Sequence, residues 1–281
     1  MTGQAAYGAD WSTSRRRGPE DELRRWLDVA SAACDAADEV ARAHFRRDLT
    51  IDTKPDRTFV TQADTAIERL IRDRLADAFP DHGLVGEEYG VEAGDASVRW
   101  YIDPIDGTHN FIRGVPLFGT LLAAERDGEL QVGVLSAPAL GERWWAYRGG
   151  GAWARERDGK ARRIRVSEVS RLEDSHLLYG SGREIIESGL APGFDDLLRA
   201  SWRDRGFGDF WGYALIAEGA AEAMIEVGLK SWDAAAPTVL VEEAGGRVTS
   251  FDGERDIEAG TIVASNGLLH DTVRGRLADA S

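Results

Sequence analysis

The stretch Trp100-Tyr101-Ile102-Asp103-Pro104-Ile105-Asp106-Gly107-Thr108-His109-Asn110-Phe111 decides how the rest of this 281-residue chain is read. The apolar run Trp100 to Ile102 has the composition of a buried strand, and it leads directly into two aspartates, Asp103 and Asp106. Pro104 stiffens the turn between them, and Gly107 lets the backbone approach a ligand closely. Two carboxylates at the end of a buried strand repel each other unless a cation lies between them, and a hard divalent ion held by oxygens is the natural counter-charge. If a helix starts near Thr108, its first amides, those of Gly107 and Thr108 among them, are free donors at the positive end of a dipole, which suits a phosphate. The competing reading is an ordinary Asp-Gly turn with Asp106 as a helix cap.

Upstream, Gly86-Glu87-Glu88 follows Leu84-Val85 and puts carboxylates at a second strand end. Further upstream, Thr61 and Asp64 form a capping box for a helix whose apolar face is Ile67, Leu70, Ile71, Leu75 and Ala78, stopped by Pro80. Before it, Leu23, Leu27, Ala30, Cys34, Ala37, Ala41 and Phe45 recur at helical spacing, predicting a long amphipathic helix from about Asp21. Residues 1–20 are small, polar and aperiodic, the pattern of a loose tail.

Downstream, β-rich runs at Arg99 to Ile102, Phe118 to Glu125, Leu130 to Ser136 and Arg143 to Tyr147 predict a meandering antiparallel sheet, with hairpin turns at Asp127-Gly128 and Asp158-Gly159. The run Gly149 to Gly151 is another turn rather than a nucleotide loop, because Trp153 and a charged stretch follow where a helix and a lysine are needed. After about Ser170 helix and strand alternate. Helices are expected near Phe194 to Ala200, Tyr213 to Ala221 and Asp233 to Ala244, the last ended by Gly245-Gly246, with strands at Arg247 to Ser250 and Thr261 to Ala264. Taken alone, Asp233 is simply an N-cap. The absence of a low-complexity linker predicts a single domain over 21–281, with lobes of about 21–170 and 171–281 packed together.

Composition narrows the function classes. Asp and Glu number 49 against 34 Lys and Arg, a formal charge of -15 that argues against a nucleic-acid partner. Cys34 is the only cysteine, so no internal disulfide or cysteine metal cluster can form, and a reducing cytoplasm fits. Arg15 to Arg17 precede Gly18-Pro19-Glu20-Asp21 rather than an apolar run, so no export signal is expected. No stretch approaches the ~20 apolar residues that cross a bilayer, so no membrane partner is expected. His44, His82, His176 and His270 lack metal-ligand spacing.

Taken together, Gly86-Glu87-Glu88, Asp103 to Thr108 with Asn110-Phe111, and Trp232-Asp233 followed by Glu243-Ala244-Gly245-Gly246 resemble the inositol monophosphatase family over about residues 22–275. The resemblance implies an α/β fold, a layered αβαβα sandwich. It also implies Mg2+ as cofactor, a homodimer, and dephosphorylation of a small phosphorylated metabolite by metal-activated water without a phosphoenzyme. By the same resemblance Glu87, Asp103, the Ile105 carbonyl, Asp106 and Asp233 ligate metal, and Asp64 belongs to a further metal position beside the attacking water. Gly107 and Thr108 contact phosphate, and Thr108 with Asp64 or Glu87 orients the nucleophile. Glu226 matches a position that contacts substrate hydroxyls in relatives; with Asp106 it could instead pair with an ammonium group. Asp209 and Arg183 are expected at the pocket edge. His109 departs from the threonine or lysine that many members carry.

Within the family, Lys54-Pro55-Asp56 with Val60-Thr61, Arg113 to Pro116, Ser136 to Leu140, Arg143 to Ala146, Gly208-Asp209-Phe210 and Ser265 to Asp271 are most similar to the histidinol-phosphate phosphatases. The expected substrate is therefore L-histidinol phosphate, with inositol-1-phosphate or a broader range of small phosphorylated metabolites as the alternative.

Overall fold

A computed structural model describes residues 18–47, 50–53, 59–155 and 159–278. Its first helix, α1 (Pro19–His44), starts inside the segment expected to be tail. Pro19 has the fixed φ that suits a first helical position, and Glu20, Asp21 and Glu22 place negative charge against the positive end of the dipole, so ordered structure begins earlier than hydrophobic spacing alone indicates. The rest of the expected tail, residues 1–17, lies outside the described residues.

A two-stranded hairpin, β1 (Ile51–Thr53) and β2 (Phe59–Thr61), leads into α2 (Gln62–Ala78). Then come β3 (His82–Gly86), β4 (Gly90–Glu92), β5 (Asp95–Asp106), the short α3 (Thr108–Ile112), β6 (Gly119–Arg126), β7 (Glu129–Ala137), β8 (Glu142–Tyr147), β9 (Gly151–Arg155) and β10 (Ala161–Ile164). Among the described residues these strands form one eight-stranded sheet in the order β10-β9-β8-β7-β6-β5-β3-β4. From β5 to β10 it is the expected antiparallel meander, and β9 and β10 pair across the expected turn at Asp158-Gly159, of which Asp158 is outside the described residues. The pairing of β3 with β5 is parallel. Strand β4 turns back to the sheet edge, so the chain re-enters beside β3 in the same direction.

The second half contributes β11 (His176–Tyr179), α4 (Gly182–Ile185), α5 (Ala191–Ala200), β12 (Arg203–Arg205), α6 (Asp209–Ala217), β13 (Ala223–Val227), α7 (Ser231–Glu243), β14 (Arg247–Thr249), β15 (Thr261–Ser265) and α8 (His270–Ala278). Its five strands form a second sheet in the order β12-β11-β13-β15-β14. The helix expected over Tyr213 to Ala221 is displaced to Asp209–Ala217, because left-handed backbone at Gly208 and Asp209 starts it and Gly219, at φ +74°, ends it.

Period-two burial on the strands sets the layers. Trp100 and Ile102 on β5 and Leu122 on β6 pack with Trp26, Ala30 and Ala37 of α1 and Ile67 and Ile71 of α2. Tyr101 and Leu121 face the other way, onto Phe210 and Tyr213 of α6 and Ala236, Val239 and Leu240 of α7. Those two helices also meet Leu178, Met224 and Ala264 of the second sheet, whose outer face (Leu177, Ile225, Val263) is covered by Phe194 of α5 and Val273 of α8. The result is the expected αβαβα sandwich. Helix α7 is apolar nearly all round because it is covered on both sides, and each fully buried Val or Leu on it contributes about 1.5–3 kcal/mol. Among the described residues no helix is long and apolar enough to cross a membrane.

Candidate active site

The end of β5 forms one wall of the site. Its register against β6 shifts between Asp103 and Asp106, a bulge that turns both carboxylates toward the same cleft, while the Pro104 carbonyl is held by Thr120 Oγ1 at 2.9 Å. Gly107 then takes φ +79°, and a Cβ on it would come within 3.0 Å of the Leu117 carbonyl and 3.1 Å of Asp209 Oδ2. Only glycine suits that turn.

Helix α7 brings Asp233 in its first turn, where Oδ2 accepts the Lys230 amide at 2.8 Å. Asp103, Asp106 and Asp233 each offer a carboxylate oxygen within 4.8 Å of the others. Glu87, following β3, lines the same cleft, and its amide donates to the Ile102 carbonyl at 3.2 Å. Asp64 serves in two ways at once. Its Oδ2 accepts the Thr61 amide at 2.8 Å and the Thr61 hydroxyl at 2.5 Å, which closes the cap of α2, and its Oδ1 accepts from Thr108 Oγ1 at 3.3 Å. The same Thr108 hydroxyl lies 3.0 Å from the Ile105 carbonyl.

Two further acids line the cleft, Asp209 and Glu226. Glu226 comes from β13 and is buried, with Tyr213 Oη donating to its Oε2 at 2.5 Å. Asp209 sits at φ +50°, a left-handed conformation that aspartate tolerates better than most residues, and accepts from Asn110 Nδ2 at 3.1 Å. Arg183, expected at the edge, does not line the cleft; it stands on the short α4 with its guanidinium 77% exposed and 3.7 Å from Glu187, one helical turn on. Phe59 and Tyr213 line the cleft without having been singled out in the sequence, and Phe210, quoted there only within Gly208-Asp209-Phe210, lines it as well. Tyr213 is four residues beyond Asp209 and so shares its helical face, a spacing that could have revealed it.

The cleft, about 340 Å³, is lined by six carboxylates (Glu87, Asp103, Asp106, Asp209, Glu226 and Asp233), with no lysine or arginine among its described lining residues. Burial pushes Asp103 well above the usual carboxylate range, and Glu87, Asp106 and Asp233 push it further. Asp106 is likewise raised, by burial and then by Asp209 and Asp233, against the opposing Phe210 amide, which donates to its Oδ2 at 2.5 Å. Asp233 is raised to about 6 and Glu226 to about 8, burial leading in both. Asp64 and Asp209 are also raised by burial, with His109 opposing the shift at Asp209. Among the described residues Asp103 Oδ1 is buried with no hydrogen-bond partner. An oxygen-only donor set with an orphaned buried oxygen and no lysine or arginine among the described lining residues fits a hard divalent ion.

A five-layer αβαβα sandwich whose carboxylate cleft gathers the ends of β3, β5 and β13 with the starts of α6 and α7 is an α/β class of architecture with a donor set suited to a divalent cation. Residues 22–280 match the inositol monophosphatase family, and the chain belongs to that family. It is 46% identical to the histidinol-phosphatase of Mycobacterium tuberculosis over 89% of this chain and 97% of the relative, and 45% identical to that of Streptomyces coelicolor over 92% and 97%. Among solved structures, an extragenic suppressor protein of Bartonella henselae superposes with a TM-score of 0.84 at 30% identity, covering 90% of this chain and 98% of that one. The chain is accordingly a phosphoric monoester hydrolase.

Proposed function

We propose that this protein hydrolyses L-histidinol phosphate to L-histidinol and inorganic phosphate, with Mg2+ as its cofactor. The observation that supports the substrate choice is that Asp209 and Glu226 line the same cleft as Asp103, Asp106 and Asp233, with no lysine or arginine among its described lining residues. A phosphate can settle at the three aspartates only through a cation, while an ammonium group on the rest of the substrate would favour the ionised forms of Asp209 and Glu226. A phosphate ester bearing an ammonium group satisfies both ends, whereas a neutral polyol would gain only hydrogen bonds from Glu226 and Asp209. The histidinol-phosphatase relatives support the same choice.

In this reading Glu87, Asp103, Asp106, Asp233 and the Ile105 carbonyl hold Mg2+, and Asp64 stands by a further ion. Bound there, Mg2+ would polarise the phosphoryl oxygens and make a water acidic enough to attack. The chain's own groups position the reaction. Asp64 has its Oδ2 committed to Thr61, so Oδ1 alone can take a proton from Thr108, leaving the Thr108 oxygen lone pairs to accept from the attacking water. Glu87 flanks the same water, and the Gly107 and Thr108 amides contact the phosphate. The water oxygen bonds to phosphorus as the ester P–O bond breaks, and the departing alkoxide takes up a proton to give the alcohol. A homodimer in the cytoplasm belongs to the same reading; the single thiol, Cys34, is buried and pushed up to about 12, so it is inert as a nucleophile.

The test is phosphate release with Mg2+ from L-histidinol phosphate and inositol-1-phosphate in parallel, repeated with Asp106→Asn. A preference for histidinol phosphate that disappears in the variant is expected. Equal rates, or a preference for the inositol ester, would move the protein to the broader specificity of its family.

A further inference from the structure

Asp64, Glu68 and Arg72 succeed one another at intervals of one helical turn on α2, and all three are buried, with Arg72 only 9% exposed. A buried acid is costly unless both of its oxygens are committed, and those of Glu68 are. Oε2 accepts the Glu88 amide at 2.6 Å, and Oε1 accepts the Tyr89 amide at 3.1 Å and Arg72 Nε at 2.8 Å. Arg72 completes the clamp by donating through Nη2 to the Gly90 carbonyl at 2.5 Å and through Nη1 to Glu92 at 3.3 Å. The Glu68 carboxylate is pressed so closely against the turn that a Cβ on Gly86 would lie 2.0 Å from Oε1.

These partners bracket one residue. Glu87 has its amide tied to the Ile102 carbonyl on β5, and the two amides that follow it are tied to Glu68. We infer that Glu68, backed by Arg72, is a positioning residue for the reaction: it fixes the backbone from which Glu87 enters the cleft, so that α2 supplies Asp64 directly and aims Glu87 through the turn. The inference rests on the reading of Glu87 as a metal ligand. If the clamp served folding alone, its loss would lower stability without reaching the cation site.

The experiment is Mn2+ binding by electron paramagnetic resonance on the full chain, with Mg2+ as competitor, for the native protein, Glu68→Gln, Glu87→Gln and the double variant. Glutamine at 68 keeps one acceptor but turns an amide group toward a backbone N–H. We expect Glu68→Gln to weaken Mn2+ binding about tenfold, the usual effect of removing the partner behind a metal ligand, and to add less than about twofold in the Glu87→Gln background. Native affinity in Glu68→Gln with only a lower Tm, or a full additional loss in the double variant, would overturn the inference. Native Mn2+ affinity in Glu87→Gln would instead remove the reading of Glu87 as a ligand, and the inference with it. Should Glu68→Gln fail to fold, Arg72→Lys keeps the charge but cannot hold Glu68 and Gly90 together. Its expected loss of about threefold must likewise vanish when Glu87 is Gln, and an additive loss overturns the inference.

Discussion

Thr108 Oγ1 reaches Asp64 Oδ1 at 3.3 Å across 44 residues of sequence, and Thr61 determines which oxygen it meets by occupying the other. A single carboxylate thereby caps the start of a helix and holds Thr108, which lines the cleft. Under the proposed function capping and catalysis share that arrangement, so a change on either side of Asp64 should be felt on both.

Thr108→Ala should lower kcat by about 10²-fold at saturating Mg2+ while Mn2+ affinity stays within about twofold, because the hydroxyl orients a nucleophile rather than holding the cation. Thr108→Ser should recover most of the rate. Steady-state kinetics beside a metal-binding isotherm decide it; parallel loss of both quantities would contradict the assignment.

Metal removal should make stability fall as pH rises. Glu226 is raised from 4.5 to about 8, so the folded protein binds that proton more tightly than the unfolded chain. Its contribution is fully present below about pH 4.5 and is lost as pH rises through 8. Asp233, raised to about 6, behaves in the same way at lower pH. His270, lowered to about 4 by burial, works in the opposite direction, but its contribution is complete by about pH 6.5. The window from about pH 6.5 to 8.5 is therefore free of His270 and reports Glu226 together with Asp103 and Asp106, which burial also raises well above the usual carboxylate range. In EDTA, Tm should decline across it, and the gain from adding Mg2+ should grow with pH, since the ligands must be deprotonated to bind. A metal-free Tm that rises across this window would refute the account.

Glu226→Gln should flatten that decline and stabilise the metal-free protein near pH 8 by a few kcal/mol, while raising KM for histidinol phosphate. Tyr213→Phe should do the reverse to stability, costing about 1–3 kcal/mol by leaving a buried oxygen without its donor. Denaturant titrations of both variants at pH 8 measure the two signs.

Gly107→Ala should be disproportionately harmful for one methyl group. Its φ of +79° disfavours any side chain, and the added carbon meets the Leu117 carbonyl and the Asp209 carboxylate. A loss of about 1–2 kcal/mol in stability is expected, together with a larger fall in kcat/KM, because Thr108 follows directly on the same turn. A stable variant with native kinetics would show that the turn tolerates displacement.

Long periodic helices and the order of strand-borne acids were readable in the sequence because each depends on local spacing. Helix α2, the β5 to β8 meander and the two aspartates at the end of β5 are of this kind, whereas Asp233, on its own an N-cap, was joined to Asp103 and Asp106 only through the family resemblance. The strands β11, β12 and β13 span only four, three and five residues and were read merely as part of an alternating pattern, since such short runs carry little periodicity. Their pairing is parallel and set by contacts distant in sequence. Tyr213 was read only as the start of an expected helix, because its partner, Glu226, lies on a different element. Arg183 was a candidate for the pocket edge, whereas in the structure it is exposed and lies 3.7 Å from Glu187, four residues on.

The position of α7 between the sheets has a consequence for synthesis. The large sheet is complete by Ile164, yet the helices that cover the face bearing Tyr101, Leu121 and Trp144 end only at Glu243. On a ribosome adding 5–20 residues per second, that apolar face stands bare for roughly 4–16 s before its cover emerges, and Asp233 arrives with the same helix. The nascent chain therefore completes its acidic cleft and covers that apolar face in one late event, so a chain truncated after Ile164 should aggregate unless chaperones hold it.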